Sequence, residues 1–467
     1  MNQTPTPADV DVLVEHTLIV TMDKGRRIVS DGAIAWRDGE IVAVGKTDEV
    51  APGLRAATVI DGRGFVVTPG LVNGHIHVTG EPVTRGHVPD DLGWYDNVFG
   101  WLIPLYNVQT EAEERLAAQL AAAEMLRNGV TSFIEAGTIR HLDAVVDGLR
   151  QIGIRGRVAQ WAQDRAFAPD DDQAALTRQA IKVLQDEVER YPCPPEALIG
   201  AWPSLVGHMT ATDDLWREAS ALARSYGGGV TAHMSPAEAD PEWYLANTGR
   251  RPIEHLAELG VLGPHVSLTH MVHLTPSEVD ILAETGTCVN HCPMSALKGG
   301  YGATAGLFPE MAAKGVKLLL GTDGANNGNT GDLMRAMFIA AGLFKDARRD
   351  TSLFPAQEVL TMATLNGAAG MGLSSRIGAL AVGKRADVVL HDIDRPEWRP
   401  LMNVVNQLVW SADGRSVHTV FVDGVKVVEA YRCTLVDEQA LYAEAEVAGR
   451  AIAERAGLPN PGPWPVV

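Results

Sequence analysis

Val67-Thr-Pro-Gly-Leu-Val-Asn-Gly-His-Ile-His77 runs a short apolar stretch into two histidines one residue apart. In a β-strand that spacing puts both imidazoles on one side, which makes half of a nitrogen-ligand metal site. Taken alone, His75 and His77 read at least as well as two polar residues on the wet face of a strand. The pattern recurs, however. Gly-Val-Thr-Ala-His233, Val-Ser-Leu-Thr-His270, Val-Asn-His291 and Leu-Leu-Leu-Gly-Thr-Asp323 each end a short apolar run in a polar residue. Five runs that stop at metal-ligand chemistry point to one shared site rather than to five accidents.

Working outward, eight strand-like runs alternate with helix-like stretches: 65–75, 129–136, 156–161, 198–204, 229–233, 265–270, 287–291 and 316–323. The clearest helix covers 110–127, with Glu111 and Glu113 in its first turn and Arg127-Asn128-Gly129 closing it. Eight alternations over this length predict an α/β fold of the (β/α)8 TIM-like barrel type. The competing doubly wound sheet needs a Gly-rich phosphate loop after its first strand, and Gly-His-Ile-His is not one. In a barrel, the histidines and Asp323 fall at the C-terminal strand ends, where catalytic groups sit.

At both chain ends short alternating runs surround Asp31-Gly32, Asp38-Gly39 and Asp423-Gly424 turns, the chemistry of antiparallel hairpins. The two ends are therefore expected to join in a small β-sandwich. The division is 1–66 for its N-terminal part, 67–375 for the barrel, and 376–467 for its C-terminal part with a terminal helix at 437–456. Residues 1–8 read as a loose tail. The aromatic-rich segment 79–110 is long for a connection and reads either as a lid over the barrel mouth or as an insertion packed outside.

The chain has 467 residues, 46% of them hydrophobic, enough for a large core. A formal charge of −19 argues against a nucleic-acid partner, which needs clustered Lys and Arg. Cys193, Cys288, Cys292 and Cys433 are scattered, so neither a disulfide framework nor a thiolate metal site is indicated. With no secretory signal and no membrane-length apolar run, a cytoplasmic location is expected. So are a small-molecule substrate, no membrane partner, and assembly as a homo-oligomer.

A hydrolytic metal centre wants three or four nitrogen or oxygen ligands and an open position for water. His75, His77, His233 and Asp323 supply such a set. His270 is a spare imidazole at the mouth, placed for acid–base work, and Asp323 can also take the proton from water. His208, His255, His265 and His273 read as surface or loop residues. Trp94, Arg165, Trp202 and His291 are the candidate substrate-binding residues.

The motifs Thr68-Pro69-Gly70-Leu71-Val72-Asn73-Gly74-His75-Ile76-His77, Thr269-His270-Met271-Val272-His273-Leu274, Val289-Asn290-His291-Cys292-Pro293 and Gly321-Thr322-Asp323-Gly324 resemble the amidohydrolase superfamily. The branch resembled is the mononuclear one of cytosine and guanine deaminases and triazine chlorohydrolases. The resemblance implies His75, His77, His233 and Asp323 as metal ligands and His270 as the group that stabilises the attacked group or the water. It also implies one divalent ion, with zinc first and iron, cobalt or manganese chemically open. No lysine ends the fourth strand to bridge a second metal. Deaminases of this branch carry His-x-x-Glu after the fifth strand, whereas here Pro236 takes the glutamate's place and Glu238 comes two positions late. That departure shifts the expected reaction. The leading expectation is cleavage of a C–N or C–S bond in a small amide, urea, carbamate or thiocarbamate by attack of metal-bound hydroxide, as in phenylurea and molinate hydrolases of xenobiotic degradation. The alternative is a deaminase or dechlorinase of a purine, pyrimidine or triazine, with Glu238 standing in for the missing glutamate.

Overall fold

The structure is a computed structural model that describes residues 8–459 and 462; apart from Ala8, the expected loose tail lies outside the described residues. Ala8 already belongs to the first strand, Ala8–Val20. A mixed sheet gathers both chain ends. Strands Ala8–Val20, Ile28–Arg37, Glu40–Lys46, Leu54–Asp61 and Phe65–Pro69 lie in one sheet with Val388–Asp392, Val417–Val422, Val425–Glu429 and Arg432–Cys433. The link between the two ends is the antiparallel pairing of Val67 with Leu390.

The run expected as a first strand, 65–75, is two strands. Phe65–Pro69 stays in the mixed sheet, and Leu71–Ile76 enters a parallel one. The break falls at Pro69-Gly70. A Cβ at Gly70 would lie 2.0 Å from Thr131 Oγ1, so only glycine lets the backbone turn against the neighbouring strand. The mixed-sheet strand also crosses the expected boundary at residue 66.

Leu71–Ile76, Val130–Glu135, Arg155–Val158 and Ile199–Ala201 form one parallel sheet; Ser204–Gly207, Val230–Met234, Val266–His270, Cys288–His291 and Leu318–Leu320 form a second. Backbone hydrogen bonds join the two at both seams. Ala162 N donates to Ser204 O and Val206 N to Ala162 O on one side, and Thr322 N and Asp323 N both donate to His75 O on the other. Ile199–Ala201 and Ser204–Gly207 are one expected strand interrupted at Trp202-Pro203, where proline removes a ladder donor.

Trp202 is buried in an interior cluster with Val72, Ile134, Cys288 and Leu319. A Cβ at Gly229 would meet its ring at 2.3 Å. Gly229 precedes the strand that carries His233 at its other end, four residues or about 13 Å away. Trp202 is therefore a core plug at the N-terminal strand ends and does not line the site, contrary to the expectation for it.

The mixed sheet and the parallel strands are tied by a buried ion-pair network. Arg155, 1% exposed, donates to both Asp387 (3.1 Å) and Asp423 (3.1 Å). The terminal helix Glu438–Ala456, capped by Asp437, packs on the helix Glu111–Arg127 with Arg455 on Glu113. A Cβ at its Gly449 would lie 2.3 Å from Val83 O.

Candidate active site

The C-terminal ends of the parallel strands bring His75, His77, His233, His270 and Asp323 together. Side-chain ligand atoms of His75, His77 and His233 lie within 4.8 Å of one another, as do those of His75, His270 and Asp323. Asp323 Oδ1 is 3.2 Å from His77 Nε2 and 3.6 Å from His75 Nε2. All five side chains are buried. The outer hydrogen bonds fix which nitrogen faces inward: His233 Nδ1 donates to Val206 O (2.9 Å), leaving Nε2 for the centre, and His75 Nδ1 is 3.0 Å from Thr269 Oγ1. His75 Nε2 is then buried without a hydrogen-bond partner. A buried imidazole nitrogen with no partner, aimed at a carboxylate and two more imidazoles, is what a divalent ion needs and an apolar core does not tolerate.

Electrostatics agree with that use. Burial, then the neighbouring imidazoles, hold His233 well below the ordinary histidine value, and burial pushes His270 down to about 3; both are neutral and able to offer a lone pair. Burial opposes ionisation of Asp323, but the imidazoles of His75 and His77 outweigh it and hold the carboxyl well below its usual range. Left-handed backbone clusters here too. His208 (φ +51°), Ser235 (+51°), His270 (+77°), Met271 (+54°) and Asp323 (+63°) are all non-glycine residues at or just beyond strand ends, where such strain is commonly kept for function.

The remaining candidates fare differently. Trp94 lies edge-on to His208, ring centroids 5.7 Å apart, and Tyr106 and Trp161 continue the aromatic wall toward His233. The segment 79–110 thus reaches the mouth. Arg165 is committed elsewhere: its guanidinium donates to the carbonyls of Met209 and Ala211 and stacks on Trp243 at 4.6 Å, so it braces a loop rather than lining the centre. His291 points away. Its ring packs at 4.1 Å on Phe308 and 5.9 Å from Phe344, while Asn290, one residue earlier, donates inward to Ser267 and Thr269. Strand alternation sends the histidine outward between helices. Glu238 is exposed, at the start of the helix Ala239–Thr248, and Pro236 is buried; the carboxyl two places late is not tucked into the centre.

The sequence profile of the amidohydrolase family matches residues 66–427. The chain belongs to the amidohydrolase family. Curated relatives extend the likeness over nearly the whole length. A 5-methylthioadenosine/S-adenosylhomocysteine deaminase of Syntrophobacter fumaroxidans is 33% identical over 90% of this chain and 94% of its own. A 5'-deoxyadenosine deaminase of Methanosarcina mazei is 30% identical over 95% and 99%. Among solved structures, an adenosine deaminase of Xanthomonas campestris with bound zinc superposes with a TM-score of 0.86 at 28% identity, over 96% of this chain and 100% of that one. A zinc-complexed atrazine chlorohydrolase of Arthrobacter aurescens shares the fold, with a TM-score of 0.84 at 22% identity over 94% and 99%. The amidohydrolase is therefore a metal-dependent hydrolase acting on carbon–nitrogen bonds other than peptide bonds, with one divalent ion as its cofactor. Because the curated relatives are nucleoside deaminases, the expected closeness to phenylurea and thiocarbamate hydrolases is not supported.

Several residues around the centre escaped the sequence reading. Glu135 ends an apolar strand by the same rule that found the histidines; it accepts from Thr138 N (3.1 Å) and Thr138 Oγ1 (2.8 Å), and burial raises its carboxyl to about 7. Glu81, fully buried in a loop, accepts from Tyr106 Oη (2.6 Å) and from Asn326 N. A Cβ at Gly324 would fall 1.9 Å from its Oε1, which accounts for the glycine after Asp323. Tyr301 sets its ring 5.9 Å from His270. His208, read as a surface or loop residue, does lie on a loop, but its ring stacks on that of His233, centroids 5.7 Å apart and planes 24° from parallel. His255, His265 and His273 do hold local partners away from the centre, on Asp213, Ser220 and the Tyr301 carbonyl.

Among the described residues, no helix is long and apolar enough to cross a membrane.

Proposed function

We propose that this amidohydrolase uses one zinc ion to replace the exocyclic amino group of a purine-type N-heterocycle by oxygen, releasing ammonia. The observation that carries the reading is whole-length likeness to deaminases of adenine nucleosides around a centre of four imidazoles and one carboxylate. His75, His77, His233 and Asp323 would hold the ion, which when bound acidifies water and draws charge from the attacked carbon. Asp323 accepts the first proton of the attacking water and passes it to the ring nitrogen beside that carbon. His270, neutral and with Nδ1 buried and unpartnered, holds the oxygen as it adds. Trp94 and Trp161 offer flat faces for a heterocycle.

The alternating parallel strands, joined at both seams, we read as the closed eight-stranded barrel. With it we retain the units 1–66, 67–375 and 376–467, apart from the strand that crosses residue 66, and a homo-oligomeric assembly. Pro236 favours one second reading, hydrolysis of an amide, urea, carbamate or thiocarbamate, in which no ring nitrogen needs a proton.

The test is a product screen with zinc-loaded protein on adenosine, 5'-deoxyadenosine, 5'-methylthioadenosine, S-adenosylhomocysteine, aminotriazines, phenylureas and thiocarbamates. Ammonia, with oxygen in place of the amino nitrogen, is the expected result. Cleavage of the ureas or thiocarbamates alone would replace this reading with the second.

A further inference from the structure

Asp323 stands at φ +63°, a backbone conformation that a residue other than glycine keeps only where its surroundings over-determine it. The turn that follows supplies part of that constraint. Asn327 N and Gly328 N both donate to Gly324 O (3.0 and 2.8 Å), and Lys298 Nζ donates to Asn326 O (2.6 Å). Asn326 N, in the same turn, donates to Glu81, a buried residue with no part in the chemistry described so far.

Glu81 lies four positions past His77 and is 0% exposed. Its two oxygens serve different elements. Oε2 accepts from Asn326 N, and Oε1 accepts from Tyr106 Oη (2.6 Å) on the helix Ile103–Asn107 of the aromatic-rich segment. A glycine opens the way to each partner. A Cβ at Gly324 would lie 1.9 Å from Glu81 Oε1, and a Cβ at Gly80, where φ is +78°, would lie 2.3 Å from the Tyr106 ring. Gln109 closes the arrangement, its Nε2 donating to Gly80 O (2.5 Å) and its Oε1 accepting from Gly80 N (3.2 Å). The Tyr106 ring lies 6.3 Å from that of Trp161, and Trp161 6.3 Å from His233. One carboxyl group therefore joins the turn behind Asp323 to the aromatic wall of the same mouth.

We infer that Glu81 is a positioning residue that fixes Asp323 relative to the aromatic wall, so that the carboxylate taking the water proton and the ring faces that hold the heterocycle keep one separation. The inference rests on the deaminase reading above for its substrate, and on the metal centre alone for its geometry. With both oxygens taken by donors and no surface exposed, Glu81 is placed to hold its neighbours rather than to exchange protons with a substrate. Misplacing a reacting group by about 1 Å costs about 100-fold in rate, so the tie is readable in kinetics.

The experiment compares the wild type with Glu81→Ala, Glu81→Gln and Tyr106→Phe. Metal content, denaturant unfolding and the absorption spectrum of the cobalt-substituted protein, whose visible bands follow ligand geometry, are measured beside kcat and KM of the zinc enzyme on whichever heterocycle of the product screen releases ammonia fastest. Glu81→Ala should keep about one ion per chain, alter the cobalt spectrum and lose kcat by about 100-fold. Glutamine can remake both bonds, its amide oxygen accepting from Asn326 N and its amide nitrogen donating to Tyr106 Oη. Glu81→Gln should therefore recover the wild-type cobalt spectrum and most of kcat. Tyr106→Phe cuts only the tie to the wall, and should raise KM several-fold while kcat and the cobalt spectrum stay close to wild type. A wild-type spectrum and kcat in Glu81→Ala would overturn the inference, and so would a Glu81→Gln enzyme as slow as Glu81→Ala, which would make the carboxyl a proton carrier. Should Glu81→Ala fail to fold, an unchanged KM in Tyr106→Phe or an altered cobalt spectrum in Glu81→Gln overturns it. A wild-type enzyme that releases ammonia from no heterocycle of the screen overturns the deaminase reading, and the cobalt spectra, which need no substrate, still decide whether Glu81 positions Asp323.

Discussion

His270 occupies a backbone conformation that only a few residue types tolerate, with φ +77°, and its ring lies 5.6 Å from that of His233 and 5.8 Å from that of His75. Burial keeps it neutral, and its Nδ1 has no partner. Those features suit a group that meets the attacking or developing oxygen. His270→Asn, which keeps a short polar side chain compatible with left-handed backbone, should retain the metal and lose turnover by about 100-fold or more. Metal analysis beside steady-state kinetics checks it, and unchanged turnover would return His270 to a packing role. This residue was legible in the sequence because it ends an apolar run, the rule that also found His75, His77, His233 and Asp323. The same rule misled at His291, since a strand's last residue can face either way and nothing in Val-Asn-His distinguishes Asn290 from His291. It failed by omission at His208, whose partner Asp240 is 32 residues away and meets it only after a strand and a turn have been built.

Elements explain what the strands and sheets ask of their buried polar groups. The pairing of Val388–Asp392 with Phe65–Pro69 across more than 300 residues was expected only in outline, as a sandwich joined from both chain ends, because hairpin turns specify local partners and leave remote ones open. At that junction His391 is buried, with Nε2 3.1 Å from Thr68 Oγ1 and Nδ1 3.5 Å from Ser416 Oγ. Burial lowers its pKa from 6.5 to about 3. A histidine depressed on folding contributes stability that is fully present above its unfolded value and lost as pH falls toward the folded one. The term is therefore intact above about pH 6.5 and disappears between there and about pH 3. His391→Leu removes it, so the pH dependence of the unfolding free energy should become shallower in that window by about 1.4 kcal/mol per pH unit. Denaturant unfolding of both proteins at several pH values measures the slope; identical slopes would show that His391 titrates alike in the folded and unfolded chain.

At the scale of the whole molecule, alternation of strand and helix foretold the α/β architecture and the convergence of His75, His77, His233, His270 and Asp323, because the side-chain period of a strand and its polar terminus are local properties. Substrate class was not legible in the same way. Pro236 was read as a vote for acyl hydrolysis, yet whole-length relatives at 30–33% identity are deaminases. The proposed mononuclear centre takes His233 from the second parallel sheet and His75 and His77 from the first. Metal content per chain, measured by mass spectrometry on the purified wild type and on His75→Ala, His77→Ala and His233→Ala, tests it most directly. About one divalent ion per wild-type chain, lost in each variant along with turnover and restored in none by added zinc, is the expected result; two tightly held ions per chain, or full occupancy in all three variants, would contradict it.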